Sequence, residues 1–252
     1  MSVRIRTAAL TDRGRRRPRN EDAFLIAPDL GMAVVADGMG GHAAGDVASA
    51  LAVEELHRRL TDQGSHARAG ERMAEAVVGA DRRIRSEAAG SSEREGMGTT
   101  LTALLLEPAD ARLVIVHVGD SRAYLIGRGG GLRQLTRDHT WVQEQVDAGA
   151  LPAGEARGHP RANILTHALG VGDRVTPDVL ERDARPGDVY LLCTDGLTNM
   201  LTDVVIERIV RESAALGLAA TARALVDAAN EAGGIDNITA VLVEVEQITR
   251  AG

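Results

Sequence analysis

Residues 32–41 read Met-Ala-Val-Val-Ala-Asp-Gly-Met-Gly-Gly, a short apolar run that ends directly in a carboxylate and a glycine. Short β-branched runs bounded by turn residues are typical of strands, so a strand over residues 32–36 is predicted to end at Asp37. Gly38 would allow a tight turn and a close approach of its carbonyl group to a ligand. A single Asp-Gly pair is also typical of an ordinary turn, so further evidence must come from the rest of the chain.

The rest of the chain repeats this pattern of short apolar runs and adds helices between them. Strands are predicted over residues 3–9, 23–27, 100–106, 113–118, 123–126, 189–193 and 238–245. Apolar residues at helical spacing, with charges opposite, predict helices over residues 44–60, 68–88, 203–213 and 218–232. Strands and helices do not alternate regularly, which argues against a doubly wound parallel sheet. The pattern predicts an α+β fold of mostly antiparallel sheets covered by helices, in one domain over residues 1–252.

Three local features refine this prediction. Asp203 stands where it could cap the helix that begins there. Residues 127–131, which are rich in glycine, are predicted to form the turn of a hairpin rather than a phosphate loop, because no helix follows them. Residues 138–170 break the pattern except for a short amphipathic piece over residues 141–148. An irregular insertion of this length is predicted to be a flap close to a functional site.

Aspartates recur at the ends of the predicted strands. Besides Asp37, Asp120 and Asp195 each follow a strand, and Asp236 precedes one. Neighbouring strands could bring these groups to one sheet edge, where two carboxylates ~5 Å apart repel by roughly 3 kcal/mol at an effective dielectric constant of ~20. Divalent cations would remove that repulsion. Oxygen ligands without cysteine favour Mg²⁺ or Mn²⁺ over zinc.

A basic segment precedes the first of these strands. Residues 17–22 read Arg-Pro-Arg-Asn-Glu-Asp, which places Arg17 just before further carboxylates. A guanidinium group can donate two parallel hydrogen bonds to a phosphate group. The alternative for this arginine-rich stretch is a solvated basic loop or a contact with a polyanion.

Taken together in their order and spacing, these motifs resemble those of bacterial type 2C protein phosphatases. The resemblance extends over nearly the whole chain. It rests on Arg17-x-x-Asn20-Glu21-Asp22, Val35-Ala36-Asp37-Gly38-Met39-Gly40-Gly41-His42, Gly98-Thr99-Thr100, Val118-Gly119-Asp120-Ser121-Arg122, Thr194-Asp195-Gly196-Leu197 and Asp236-Asn237-Ile238-Thr239. The resemblance implies an α-β-β-α sandwich, in which two antiparallel sheets are flanked by helix pairs and a metal centre lies at one end.

The resemblance also implies a set of metal ligands. It implies that Asp37 bridges two divalent cations, Mn²⁺ or Mg²⁺, and that Gly38 binds through its carbonyl oxygen. Asp195 and Asp236 would complete the direct protein ligands.

The same resemblance implies roles for further residues that are not direct ligands of the two cations. Asp22, alone or together with Glu21, would act through water, and Asp120 would bind a third, weaker metal. Arg17 would bind the phosphate group of the substrate.

The resemblance leaves two questions open, the identity of the proton donor and the role of the flap. Some family members have a histidine directly after the Asp-Gly pair, whereas this chain has Met39. His42 is therefore a candidate proton donor or a cap of the following helix, and a cation-bound water is the alternative donor. The stretch His159-Pro160-Arg161-x-Asn163 is similar to the flap of bacterial members, and we expect residues 138–170 to affect substrate choice.

The function expected from these features is hydrolysis of phosphoserine and phosphothreonine in proteins. Phosphate monoesters are so stable that enzymes accelerate their hydrolysis by up to ~10²¹-fold. Two cations ~3.5–4 Å apart can activate a shared water molecule, and Arg17 can hold the phosphate in line with it. We expect phosphorylated proteins as substrates and a cytoplasmic serine/threonine kinase as the opposing activity.

Three rival functions are weaker. Cys193 lacks the loop ending in arginine that a cysteine-based phosphatase needs, and we expect it to be a core residue. Gly38-x-Gly40-x-x-Ala43 is like a dinucleotide-binding turn, but the acidic residue expected after a following strand is missing. A phosphoprotein-binding protein without catalysis would be expected to lack metal ligands, and this sequence keeps all of them.

The amino-acid composition excludes several further classes of function and partner. The 252 residues contain no lysine, which excludes a P-loop and Schiff-base catalysis. With a net charge of -7 and 2% aromatic residues, the chain is expected to have no nucleic-acid partner. A single cysteine, no signal-like segment at the N-terminus and no apolar run of ~20 residues favour a cytoplasmic protein without a membrane partner. We also expect a monomer.

Overall fold

The computed structural model describes residues 2–40, 44–62, 67–108, 111–127, 131–172 and 174–248. The strands in these ranges are β1 (Ser2–Asp12), β2 (Asp22–Ala27), β3 (Met32–Met39), β4 (Gly98–Thr99), β5 (Leu101–Glu107), β6 (Arg112–Val118), β7 (Arg122–Ile126), β8 (Leu132–Gln134), β9 (Asp178–Asp183), β10 (Val189–Cys193) and β11 (Ile238–Ile248). The helices are α1 (Gly45–Thr61), α2 (Ala69–Ala89), α3 (Trp141–Asp147), α4 (Ala153–Ala156), α5 (Asp195–Thr198), α6 (Asp203–Ser213) and α7 (Leu218–Glu231).

The strands form two antiparallel sheets. The first sheet has the order β1-β11-β10-β7-β8. The second has the order β2-β3-β5-β6-β9, and β4 pairs with β3 outside this path. Every strand pair in the described ranges is antiparallel, as predicted.

Three apolar clusters separate four layers. The middle cluster lies between the sheets and contains side chains of both, such as Val35 of β3 and Leu192 of β10. One outer cluster joins α1 and α2 to the second sheet, and the other joins α6 and α7 to the first sheet. This is the predicted α-β-β-α sandwich.

Strand β3 shows why its sequence is continuously apolar. Successive side chains of a strand point to opposite faces of the sheet. Val34 and Ala36 contact the helix-side cluster, whereas Ala33 and Val35 contact the cluster between the sheets. Because both faces are buried, burial stabilises every position, at ~1.5–3 kcal/mol for a fully buried valine or leucine.

Strand β9 was not predicted from the sequence. It lies at the edge of the second sheet, and most of its residues are exposed and polar or charged. It pairs with β6, where Arg112 donates hydrogen bonds to Glu181 (3.2 Å) and Asp183 (2.8 Å). Charged residues are a common protection of edge strands, and they remove the apolar pattern by which strands are predicted.

The N-cap of α6 was predicted one residue too late. Thr202 is the cap, and its hydroxyl accepts a hydrogen bond from the backbone N–H of Val205 (3.4 Å). Asp203 is the first helical residue and accepts a hydrogen bond from the hydroxyl of Tyr124 (3.0 Å).

The hairpin and the insertion follow the prediction. The backbone N–H of Gly127 donates to the carbonyl of Gly131 (3.1 Å), and β7 pairs with β8. In the flap, residues 138–170, α3 coincides with the predicted amphipathic piece and α4 follows it. The Trp141 ring stacks on His159, and the Arg161 guanidinium lies 4.7 Å from the Trp141 ring centroid.

Two further predictions concern His42 and the membrane. His42 lies outside the described residues. None of the described helices combines the length and apolar character required to cross a bilayer.

Candidate metal and phosphate site

The ends of four strands bring the predicted aspartates to one end of the sandwich. In the second sheet, Asp22 at the start of β2 stands opposite Asp37 near the end of β3. In the first sheet, Asp195 lies just after β10, beyond Thr194, and Asp236 lies just before its antiparallel neighbour β11. Asp120 lies in the connection by which the chain crosses from β6 in one sheet to β7 in the other. We call these five residues the acidic cluster.

Asp22 connects the two sheets directly. Its Oδ2 atom accepts hydrogen bonds from the hydroxyls of Thr194 (2.8 Å) and Thr239 (2.6 Å), which belong to the first sheet's side of the site. Its Oδ1 atom is buried and has no hydrogen-bond partner among the described residues. Loss of hydration raises the pKa of Asp22 to about 7, against the opposing effect of the two threonines. Neither threonine was assigned a role from the sequence, although both lie within the quoted motifs.

The threonines of the Gly-Thr-Thr motif hold the backbone of Asp37 through hydrogen bonds. Its N–H donates to Thr100 Oγ1 (2.9 Å), and its carbonyl accepts from Thr99 Oγ1 (2.8 Å) and from the Thr100 N–H (2.9 Å). Thr100 Oγ1 is also 2.7 Å from Ser121 Oγ, next to Asp120. The threonines of this motif therefore fix the relative positions of two candidate ligands.

Gly38 has no room for a side chain. A Cβ atom there would lie 2.1 Å from the carbonyl oxygen of Gly45 and 2.5 Å from that of Glu21. The Gly38 N–H also donates to the Glu21 carbonyl (3.1 Å). Glycine is thus required for the close packing of β3 against the start of α1.

Loss of hydration, and after it mutual repulsion, raises the pKa values of several carboxyl groups in the cluster. Although Asp37 keeps some exposure, loss of hydration raises its pKa well above the usual range, and the charges of Asp22, Asp195 and Asp120 raise it further. Loss of hydration and the charge of Asp236 raise the pKa of Asp195. The pKa of Asp120 is raised by burial and then by Asp195. Without a compensating cation, the folded protein therefore favours protonated carboxyl groups at this end.

Asp195 has one paired and one unpaired oxygen. Oδ2 accepts a hydrogen bond from Asn199 Nδ2 (3.0 Å). Oδ1 is buried, and no donor in the described part of the chain reaches it while its neighbours are ionised. A proton on Asp37 would supply such a donor, because the two carboxyl groups are within hydrogen-bonding reach.

Arg17 and Asp236 form an ion pair that the sequence did not predict. Arg17 Nη2 donates to Asp236 Oδ2 (2.7 Å), and the Arg17 side chain is 48% exposed. The other oxygen of Asp236 accepts from the backbone N–H of Asn237 (2.8 Å). Arg17 is therefore placed at the acidic cluster as predicted, but binding of phosphate by Arg17 or of a metal by Asp236 requires this pair to open or to be shared.

Asn237 holds the arginine-rich segment in place. Its side-chain nitrogen donates to the carbonyls of Arg13 (2.9 Å) and Arg19 (2.8 Å). Its side-chain oxygen accepts from the Glu21 N–H (2.8 Å). This role was missed from the sequence, because it depends on which segment lies beside β11 in space.

The chemistry of the donor set, carboxylate and carbonyl oxygens, fits hard divalent cations. Within the described ranges, no group of three or more His, Cys, Asp or Glu side chains is arranged to hold an ion as it stands. The carboxylates are instead held by threonine, asparagine and arginine partners. Two buried carboxylate oxygens nevertheless lack partners among the described residues, and loss of hydration together with the neighbouring carboxylates raises the pKa values of Asp37 and Asp120. Oxygen ligands of this kind suit Mg²⁺ or Mn²⁺.

A cavity of about 290 Å³ separates the acidic cluster from the flap. Asp120 and Asp195 line one side, and Thr140 and Asn163 of the flap line the other. Arg157 at the end of α4 spans the gap, because its guanidinium donates to the carbonyls of residues 199 (3.0 Å) and 201 (3.4 Å). The flap is thus attached to the loop that follows Asp195.

Comparisons with known proteins agree with this arrangement. The family described as Protein phosphatase 2C matches residues 13–228. The serine/threonine protein phosphatase PstP of Mycobacterium tuberculosis is 41% identical over 244 residues, which cover 96% of this chain and 45% of that protein. The chain thus spans about half the length of this relative. The serine/threonine phosphatase stp of Listeria monocytogenes is 40% identical over 248 residues, which cover 96% of both chains.

A solved structure shows the same fold. The catalytic domain of the serine threonine protein phosphatase PstP in complex with two manganese ions superimposes with a TM-score of 0.87. Its sequence is 37% identical, and the match covers 98% of this chain and 100% of that one.

Proposed function

The chain belongs to the protein phosphatase 2C family, and on this basis we propose that it hydrolyses phosphoserine and phosphothreonine in proteins with the help of two divalent cations. The observation that carries the proposal is the acidic cluster, in which both sheets contribute carboxylates to one end of the sandwich beside Arg17. The manganese ions of the PstP catalytic domain support Mn²⁺ as the cation, and Mg²⁺ has the same preference for oxygen ligands.

We assign the metal ligands as follows. Asp37, the carbonyl of Gly38, Asp195 and Asp236 would hold two cations, and Asp120 would hold a third, weaker one. When bound, the cations would activate a water molecule and neutralise charge on the phosphate group. This assignment accounts for the unpaired oxygen of Asp195 and for the raised pKa values of the cluster.

Asp22 differs from these residues because it is already held from two sides. Thr194 and Thr239 occupy its Oδ2 atom, so only Oδ1 is free to accept a hydrogen bond. We propose that this oxygen orients a water molecule at the site, as expected for a group that acts through water. A fixed acceptor of this kind lowers the entropic cost of placing the nucleophile.

Arg17 would orient the phosphate group. Its guanidinium has further N–H donors beside the one bonded to Asp236 and is about half exposed, so a substrate can reach it. Arginine binds phosphate through parallel hydrogen bonds, which fixes the phosphorus centre against the attacking water. The proton donor to the leaving oxygen is proposed to be His42 or a water molecule at the site.

The remaining proposals concern substrates and setting. We propose that the flap contributes to the choice of phosphoprotein, because the cavity between flap and acidic cluster is where a peptide would extend from the phosphate. We also propose a cytoplasmic monomer that opposes a serine/threonine kinase. The net charge of -7 supports the absence of a nucleic-acid partner.

The proposal is tested by the hydrolysis of matched peptides. Phosphoserine, phosphothreonine and phosphotyrosine versions of one peptide are incubated with Mn²⁺, with Mg²⁺ or with excess chelator after dialysis. Release of phosphate from the first two peptides with metal only is the expected result. Full activity in chelator would contradict the metal-dependent mechanism, and preference for phosphotyrosine would contradict the substrate class.

A further inference from the structure

His139 lies where the flap joins the sandwich, and its backbone forms hydrogen bonds with both. Its N–H donates to the carbonyl of Gly119 (2.7 Å), in the turn that carries Asp120. Its carbonyl accepts from the N–H of Thr166, in the returning end of the flap (2.9 Å). A single residue thus connects the candidate ligand turn to both ends of the flap.

The His139 side chain makes a second bond to the same turn. Nδ1 is 3.2 Å from the backbone nitrogen of Gly119, and Nε2 is 3.2 Å from Asp178 Oδ2. A backbone N–H can only donate, so Nδ1 must be the acceptor and the ring proton must lie on Nε2, where it donates to Asp178. Burial lowers the pKa of His139, which favours the neutral ring that this arrangement requires.

The turn held by His139 has little freedom of its own. Gly119 has a φ of +106°, and a Cβ atom there would lie 2.5 Å from Thr100 Cγ2. Thr100 in turn bonds the backbone of Asp37 and the hydroxyl of Ser121. The turn therefore packs against Thr100 on one side and is hydrogen-bonded to His139 on the other. Thr100 also holds the backbone of Asp37, and His139 also holds the flap.

We propose that His139 is a positioning residue whose ring, in addition to its backbone, sets Asp120 and the flap in one arrangement and so adds a side-chain coupling between peptide binding and the acidic cluster. The inference rests on the proposed function, since it concerns the same site. His139 does not touch the substrate. It acts through the Gly119 N–H, which would be left without its acceptor if Nδ1 were removed.

Two substitutions, each of which mimics one nitrogen of the ring, separate the two hydrogen bonds that the His139 side chain makes. In His139→Asn the side-chain oxygen can take the place of Nδ1, so the bond from Gly119 is kept and the bond to Asp178 is lost. In His139→Gln the longer side chain can reach Asp178, but nothing replaces the Nδ1 acceptor. We expect His139→Asn to stay within about three-fold of the unaltered protein in kcat/KM for a phosphothreonine peptide, and His139→Gln to fall roughly ten- to a hundred-fold.

Two readouts distinguish positioning from general stabilisation. The loss in His139→Gln is expected to be larger for the peptide than for a small aryl phosphate, because only the peptide reaches the flap. The exchange rate of the Gly119 amide hydrogen, followed by NMR in metal-free protein, should rise in His139→Gln and not in His139→Asn. His167→Ala is the matched control within the flap, since that ring lies 4.9 Å from His139 between ring centroids and its Nδ1 atom is hydrogen-bonded to Thr166.

The outcomes separate this inference from the proposed function. Equal losses in the Asn and Gln variants, or losses that only follow a fall in Tm, would overturn the positioning role. Losses in both variants that the control shares would overturn it too. If the unaltered protein hydrolyses no phosphopeptide, the proposed function fails, whereas Gly119 exchange still tests whether His139 holds the turn.

Discussion

The acidic cluster and the flap lie on opposite sides of one cavity, and they are built in opposite ways. The cluster stands on strands of both sheets, where buried residues on each face fix the backbone. The flap consists of two short helices and irregular segments. It is attached to the sandwich by hydrogen bonds of the His139 backbone and ring, of the Leu169 backbone with Thr99, and of the Arg157 guanidinium.

This difference suggests a division of labour. Groups on rigid elements hold a precise geometry better than groups on loops, whereas loops adapt more readily to different partners. Substitutions in the acidic cluster should therefore affect every phosphate monoester. Substitutions in the flap should affect peptide substrates more than small ones.

Loss of a metal ligand is expected to have the largest effect. Asp195→Ala should reduce turnover of both a peptide and a small aryl phosphate to background. In the metal-free state its Tm should stay unchanged or rise, because one of several repelling carboxylates is removed. Asp203→Ala, which removes a carboxylate that also lines the cavity but lies outside the acidic cluster, is the control. Survival of turnover together with a large drop in metal-free Tm would identify Asp195 as a structural residue.

Loss of Arg17 is expected to be next in size. A charged hydrogen bond is worth ~1.5–3 kcal/mol, so Arg17→Ala should lower kcat/KM roughly ten- to a hundred-fold for both substrate types. Arg16→Ala, which removes a neighbouring charge, should have a much smaller effect. Similar small effects from both variants would show that the arginines act only by diffuse attraction.

A change in the flap attachment should have a smaller and more selective effect. Arg157→Ala removes two bonds to backbone carbonyls and is expected to lower kcat/KM for a phosphothreonine peptide by about three- to ten-fold. The value for a small aryl phosphate should change less than two-fold. Equal losses for both substrates would mean that the flap supports the chemistry itself, and the division of labour would not hold.

The smallest effect is a pH dependence of stability in the metal-free protein. The folded-state pKa values of Asp22 and Asp37 lie above the ordinary value, so the folded state binds more protons than the unfolded state between about pH 4 and 7. Metal-free Tm should therefore fall as the pH rises through this window. Saturating Mn²⁺ should flatten the dependence, whereas a metal-free Tm that rises with pH would contradict the raised pKa values.

Much of the fold could be predicted because burial leaves a clear pattern. Strands such as β3 and β11 are apolar over most of their length, and α1, α2, α6 and α7 were predicted to within two residues at each end. Strand β9 could not be predicted, because its residues are mostly exposed and charged. Its formation depends on pairing with β6, which the local sequence does not show.

The positions of the aspartates at the site could be predicted, but the residues that hold them in place could not. The aspartates stand at strand ends, and position relative to a strand is readable from the chain. The bonds from Thr194 and Thr239 to Asp22, and the ion pair between Arg17 and Asp236, join residues far apart in sequence. They depend on which strands and loops are neighbours in space, and that information is not local.

The central claim is that the acidic cluster holds divalent cations, and direct titration of metal-free protein with Mn²⁺ tests it most simply. Isothermal titration calorimetry at neutral pH should show two tightly bound Mn²⁺ ions per chain, with release of protons from the carboxyl groups whose pKa values are raised. The same titration of Asp195→Ala should show fewer bound ions. Absence of binding to the unaltered protein, or identical binding by the variant, would contradict the account.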